Sequence, residues 1–182
     1  ARIATGRSVT PRLVRAIDGV EQPSGAGEPL GVNENYLRRV RQAMYAVSNH
    51  NRGTAFRTRI VEDDLRMAGK TGTSQVRRIT TAERAAGVTR NEDLPWERRD
   101  HALFVSFAPF DNPKYAVAVV VEHGGGGSVA AAPIARDIML QALYDGTPPL
   151  SAYPSGDQAR IAEQQNRLEL REIVAPPSSD RA

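Results

Sequence analysis

Lys70, Thr71, Gly72 and Thr73 follow one another in this 182-residue chain as an ammonium, a hydroxyl, a bare backbone and a second hydroxyl. Set on an extended strand, such a run suits a peptide that ends in a carboxylate. The backbone can take the peptide as an added strand. Lys70 supplies positive charge, Thr71 and Thr73 supply hydroxyl donors, and Gly72 lets the incoming backbone approach closely. A main-chain N–H on that strand can also be aimed at a developing oxyanion. Lysine is scarce here: of 24 basic side chains only Lys70 and Lys114 are lysines, leaving 22 arginines. A chain this partial to arginine can keep lysine where a compact ammonium is needed and a planar fork will not serve. Chance codon usage is the alternative. Lys114 sits in the turn Asp111-Asn112-Pro113-Lys114 and reads as solvated.

Other stretches offer rival chemistry. Gly69-Lys70-Thr71 invites a phosphate-loop reading, but that motif needs a glycine five positions before its Gly-Lys pair, and Asp64 stands there. The glycine run Gly124–Gly127 could turn backbone N–H groups toward an anion; a joint or a close-packed turn is the other reading. His50, His101 and His123 could suggest metal ligands or a hydrolytic triad. Their spacings match no metal motif, and no serine lies in a nucleophile-elbow sequence. No cofactor is implied.

Composition narrows the classes. Hydrophobic residues make up 40% and charged residues 25%, the balance of one ordinary globular domain with a real core. A net charge of +3 with 5% aromatics and no interleaved basic run argues against nucleic acid as a partner. There is no cysteine, so disulfides and thiolate metal sites are excluded. No apolar stretch approaches the roughly 20 residues needed to span a bilayer. The start Ala1-Arg2-Ile3, without methionine or leader, reads as an internal start.

The elements that must position Lys70–Thr73 are partly legible. A helix end over Ala1–Thr5 stops at Gly6, an extended piece is expected around Arg12-Leu13-Val14, and Pro23–Pro29 reads as a loop. An amphipathic helix is expected over Asn33–Ser48, with Asn33 as N-cap and Leu37, Val40, Met44 and Val47 on one face. Met67–Val76 reads as a strand. A charged segment, 77–100, follows without clear periodicity and reads as functional, mobile or bound by a neighbour. Ala102–Ala108 and Tyr115–Glu122 read as central strands joined by a hairpin at Pro109–Lys114. A last helix is expected over Ser128–Tyr144, with Ile134, Ile138 and Ala142 on one face and Ala135, Met139 and Leu143 beside them. The fold class is α+β, an antiparallel sheet with flanking helices. Residues 1–150 form the expected domain and 151–182 a polar tail, with a possible helix over Ser155–Glu172 and then disorder from 174.

The segment Met67-Ala68-Gly69-Lys70-Thr71-Gly72-Thr73-Ser74-Gln75 resembles the third motif of penicillin-binding transpeptidases. The run Arg99–Pro109, the turn Asn112-Pro113, the strand Tyr115–Glu122 and the glycine-rich approach to the last helix resemble the same proteins in the same order. So do Ala1–Arg7 and Gly53-Thr54-Ala55 upstream. The likeness spans about residues 1–145 and points to the carboxy-terminal part of the transpeptidase domain in the monofunctional, class B type used in cell elongation. It implies a partial penicillin-binding/β-lactamase-like transpeptidase fold and a D,D-transpeptidase that cross-links peptidoglycan stem peptides through an acyl-serine intermediate and is acylated by β-lactams. By position, Lys70 would act near the substrate carboxylate and the active-site hydroxyls. Thr71 and Thr73 would bind that carboxylate, the Thr73 N–H would form half the oxyanion hole, and Gly72 would keep the strand accessible. The implied partners are stem peptides, β-lactams, the amino-terminal half of the same domain, a membrane glycosyltransferase and elongation scaffold proteins. The implied location is the periplasmic face of the inner membrane, through an anchor outside this chain.

One departure bears on activity. The family's nucleophile lies in Ser-x-x-Lys, yet Met67 and Asp111 stand three residues before the two lysines. No Ser-x-Asn is present either. The expectation is a substrate-binding wall without its nucleophile, inactive alone. A non-catalytic interaction or peptidoglycan-binding module, with segment 77–100 as its contact, is the alternative from another class, and a truncation with no independent role is a third.

Overall fold

The structure, a computed structural model, describes residues 1–11, 13–22 and 26–167. It begins with a one-turn helix, α1 (Arg2–Thr5), closed by Gly6 at φ 69°, the left-handed geometry that suits glycine at a helix end. Strand β1 (Arg7–Val9) pairs antiparallel with β4 (Ala26–Pro29), and β2 (Ala16–Ile17) with β3 (Val20–Glu21) between them. Two expectations are corrected here. Leu13 and Val14 are exposed and form no strand, while Arg12 lies outside the described residues. The loop expected over Pro23–Pro29 is a strand from Ala26 onward, and 23–25 lie outside the described residues. Strands this short form where a partner exists, which local propensity does not reveal.

Helix α2 (Glu34–Asn49) starts as expected at Asn33, whose side chain accepts from the Asn35 N–H at 2.9 Å. Leu37 is buried and Met44 and Val47 half-buried, whereas Val40 of the same stripe is exposed. The main sheet comprises β5 (Ala68–Ser74), β6 (His101–Ala108) and β7 (Tyr115–Val121), antiparallel in that order. Only β6 is central. The expectation of two covered central strands is corrected for β7, an edge on which Tyr115 and Val120 are exposed. Between β5 and β6 the charged segment carries a short helix, α3 (Thr81–Ala86), capped by Thr80, and two 3-10 turns.

A π-turn over Gly127–Ala131 leads into α4 (Ala132–Tyr144). Its buried face is Ala132, Ala135, Arg136, Met139 and Leu140, so Ala135 and Met139 lie inside, while Ile134 and Ile138 of the expected apolar face are exposed. Alanines at 131, 132 and 135 let the helix sit close on Ala102, Phe104 and Ala108 of β6, a fit that isoleucines could not give. Beyond Leu150 the chain does not simply trail away. Ala152, Tyr153 and Ile161 of α5 (Ser155–Arg167) and its approach join the same core. The fully buried Arg136 guanidinium bonds Asp157 of α5 at 2.5 Å. Leu168 and the rest of the expected polar tail lie outside the described residues.

Candidate functional site

Lys70, Thr71, Gly72 and Thr73 all lie on β5, at one edge of the main sheet. Their register against β6 is Lys70↔Val105, Thr71↔Phe104, Gly72↔Leu103 and Thr73↔Ala102. Residues directly opposite in a sheet share a face. Thr71 and Thr73 therefore share the α4-covered face with Phe104 and Ala102, both fully buried. Lys70 lies on the opposite face with half-exposed Val105. Its ammonium curls back over the strand and donates to the Thr71 carbonyl at 2.7 Å.

That hydrogen bond identifies which backbone groups are free. In an antiparallel pair, residues alternate between turning their N–H and C=O toward the partner and away from it. The Thr71 carbonyl accepts from Lys70, and the Met67 carbonyl accepts from the Asn49 side chain at 2.9 Å, so both face away from β6. Thr73, two residues beyond Thr71, presents its own N–H and C=O to the same open edge. The strand thus offers the Thr73 backbone at its edge, the Thr71 and Thr73 side chains on one face and Lys70 on the other, within one short stretch.

Several devices hold the strand. At Gly69 a β-carbon would come within 2.3 Å of the Phe104 ring, so glycine is required for β5 to lie against β6. Gly127 of the π-turn sits over the middle of the strand: its β-carbon would lie 2.6 Å from the Gly72 carbonyl oxygen and 2.3 Å from that of Leu103. The glycine run is therefore a close-packed turn, with the Gly125 N–H donating to the Asp100 carbonyl at 2.8 Å. Thr54, on the loop after α2, brings its hydroxyl to 3.3 Å from that of Thr71. Neither contact was legible from spacing; Thr54 stood out only through the resemblance of Gly53-Thr54-Ala55.

Segment 77–100 leaves and rejoins the sheet through Asp100. Its carboxylate accepts from the Val76 N–H and from the Asn91 side-chain amide, both at 3.3 Å. His123 lies against Trp96 with ring centroids 4.4 Å apart, its Nδ1 is 2.9 Å from the Arg99 carbonyl, and its N–H donates to His101 Nδ1 at 2.9 Å. These two histidines tie the segment to the ends of β6 and β7. His50 instead accepts the Arg52 N–H at the end of α2. Among the described residues no cluster of three or more His, Cys, Asp or Glu side chains could hold a metal ion, and no helix is long and apolar enough to cross a membrane.

The profile described as penicillin binding protein transpeptidase domain matches residues 1–140. The peptidoglycan D,D-transpeptidase MrdA of Haemophilus influenzae is 36% identical over 180 residues, which cover 93% of this chain and 26% of that protein. Among solved structures, Helicobacter pylori PBP2, in its complex with MreC, superposes with a TM-score of 0.59 at 34% identity over 79% of this chain and 23% of the other. Pseudomonas aeruginosa PBP2 in complex with WCK 5153 gives 0.58 at 31% identity over 84% and 31%. The chain spans about a quarter of the length of the curated relatives it matches (26% of the H. influenzae protein).

Proposed function

Because the chain belongs to the penicillin-binding protein transpeptidase family, on its elongation-type class B branch, we propose that it supplies the substrate-binding wall of a peptidoglycan D,D-transpeptidase. The open edge of β5 takes the end of a stem peptide as an added strand. Thr71 and Thr73 donate their hydroxyls to the terminal carboxylate, and Lys70 adds positive charge beside it. Gly72 leaves room for the peptide backbone. The Thr73 N–H faces the carbonyl under attack and takes the negative charge that develops on its oxygen.

The serine that attacks that carbonyl comes from polypeptide outside these 182 residues, since neither lysine here completes Ser-x-x-Lys. Attack forms the acyl-serine ester and releases the terminal D-alanine, whose nitrogen leaves as an amine after gaining a proton. An amine of a second stem peptide then takes the acyl group. β-Lactams present a carboxylate and a strained amide to the same edge, stopping at the ester. The setting is the periplasmic face of the inner membrane, in an assembly with a membrane glycosyltransferase and scaffold proteins; the solved complex of H. pylori PBP2 with MreC supports the existence of a protein partner.

The observation that carries this reading is that β5 is an edge strand on which Thr71 and Thr73 place their side chains on the same face. Its test is a titration of the isotope-labelled chain with N-acetyl-D-Ala-D-Ala and with the same peptide as its carboxy-terminal amide. The acid is expected to bind more tightly and to shift the Thr71 and Thr73 amides. Equal affinity for acid and amide would overturn the carboxylate assignment. Intact-mass analysis after incubation with penicillin is expected to show no adduct on the chain alone; a stable single-acyl increment would overturn the claim that the nucleophile lies elsewhere. Contact through segment 77–100 with no response at β5 would favour the interaction-module reading.

A further inference from the structure

The hydroxyls of Thr54 and Thr71 lie 3.3 Å apart, and the geometry allows either to be the donor. We propose that Thr54 is a positioning residue for substrate: its hydroxyl donates to Thr71 and so turns the single Thr71 proton toward the substrate carboxylate. The inference rests on the carboxylate-binding role proposed for Thr71.

The argument is one of proton counting. A threonine hydroxyl has one proton to donate and two lone pairs to accept with, whereas a carboxylate only accepts. Once Thr71 spends its proton on the carboxylate, its bond with Thr54 can run only one way, from Thr54 to Thr71. Donation into the Thr71 oxygen also polarises its O–H and strengthens the onward bond to the anion. With Thr54 lacking a hydroxyl, the Thr71 proton has no such bias and can turn to other acceptors.

Thr54 is held in place for this by its neighbours. Gly53 packs so tightly on the end of α2 that a β-carbon would fall 2.4 Å from the carbonyl oxygens of both Ala46 and Val47. The Gly53 N–H donates to His50 at 2.7 Å, and the N–H of buried Ala55 donates to Val47 at 3.0 Å. Thr54 is therefore clamped on both sides while its own side chain stays exposed beside β5. Threonine is also stiff at χ1, so the direction of each hydroxyl is restricted at both ends of the pair.

The test compares wild type, Thr54→Val, Thr54→Ser and Thr71→Val in the full chain, each titrated with N-acetyl-D-Ala-D-Ala and with its carboxy-terminal amide. Thr54→Val keeps the shape and removes the proton. It is expected to weaken binding of the acid by about tenfold, the scale of a lost hydrogen bond in a network ending on a charge, while leaving amide binding and the melting temperature unchanged. Thr54→Ser is expected to restore acid binding. A merely structural threonine would change acid and amide binding alike, and serine would not separate them. If Thr71→Val abolishes the acid preference and Thr54→Val keeps it, the relay is wrong and the carboxylate reading stands. If wild type shows no acid preference, both fail.

Discussion

Gly127 lies directly over Gly72, so close that any β-carbon on Gly127 would press on the Gly72 carbonyl oxygen at 2.6 Å. The π-turn before α4 is therefore in contact with the middle of the strand that carries Lys70 and Thr71. Replacing Gly127 with alanine must push the turn off the sheet or bend β5. Overpacking of this kind costs about 1–3 kcal/mol. Its neighbour is the control: a β-carbon at Gly126 meets nothing closer than Val129 at 4.0 Å. Gly127→Ala is expected to lower the melting temperature and speed amide exchange at Gly72, while Gly126→Ala leaves both nearly unchanged. Equal effects from the two would show that flexibility of the run, and not contact, is what matters.

Arg136 of α4 and Asp157 of α5 make a second testable pair. The guanidinium is fully buried, bonded to Asp157 at 2.5 Å and Asp137 at 2.9 Å, and lies 4.9 Å from the centre of the Tyr153 ring. Losing Asp157 leaves the buried guanidinium with Asp137 as its one remaining carboxylate partner, at a cost below the about 3–5 kcal/mol of a fully stranded charge, whereas an apolar replacement of similar volume is often tolerated. Asp157→Ala is expected to destabilise the chain in urea unfolding by more than Arg136→Met. The two carboxylates left behind by Arg136→Met are partly exposed and remain hydrated. The reverse order would mean that the methylene packing of Arg136, and not its charge, holds α5 to the core.

The contrast between these contacts and the strand itself explains what could be read in advance. Asn33 and the 3, 4, 3 spacing of Leu37, Val40, Met44 and Val47 are local signals, and α2 follows them. The small and β-branched run of β5 is likewise a local signal. Which of two adjacent stripes on α4 faces the sheet is not: Ala132, Ala135 and Met139 win over Ile134 and Ile138 because the alanines allow closer approach to β6. The pairing of Arg7–Val9 with Ala26–Pro29 depends on a partner far along the chain. The same holds for Thr54 and Thr71, which are 17 residues apart. The hydroxyls proposed for the carboxylate were visible in the sequence, but the groups that orient them appear only in three dimensions.

Segment 77–100 carries its own acid-sensitive joint. Both terminal guanidinium nitrogens of Arg77 donate to the Glu83 carboxylate, at 2.7 and 2.6 Å, and these bonds hold its pKa below the ordinary value of 4.5. A lowered carboxylate pKa means that the stabilisation is fully present above the ordinary value and is lost as pH falls through the folded one. Amide protection in α3, measured relative to the intrinsic exchange rate at each pH, is expected to be constant from pH 7 to about 5.5 and to fall on further acidification. Glu83→Gln should show lower protection throughout and no such pH dependence of it. A wild-type α3 that loosens already near neutrality would assign the effect to another group.

Lys70 reaches the carboxylate by charge, and Thr71 by a directed hydrogen bond, so the two contributions should separate with salt. The Lys70 side chain is exposed, its ammonium donates to the Thr71 carbonyl at 2.7 Å, and strand alternation places it on the face opposite the Thr71 hydroxyl. An exposed ammonium acting on an anion is screened over about 10 Å at 0.1 M salt and over about 3 Å at 1 M. Binding of N-acetyl-D-Ala-D-Ala to the wild-type chain is therefore expected to weaken steadily with added salt. Lys70→Ala should bind more weakly at low salt and show a flatter dependence, converging on wild type as salt rises. Thr71→Val should be weaker at every salt concentration and keep the wild-type slope. Parallel slopes for wild type and Lys70→Ala would remove the ammonium from the carboxylate site, leaving its bond to the Thr71 carbonyl as a brace for the strand.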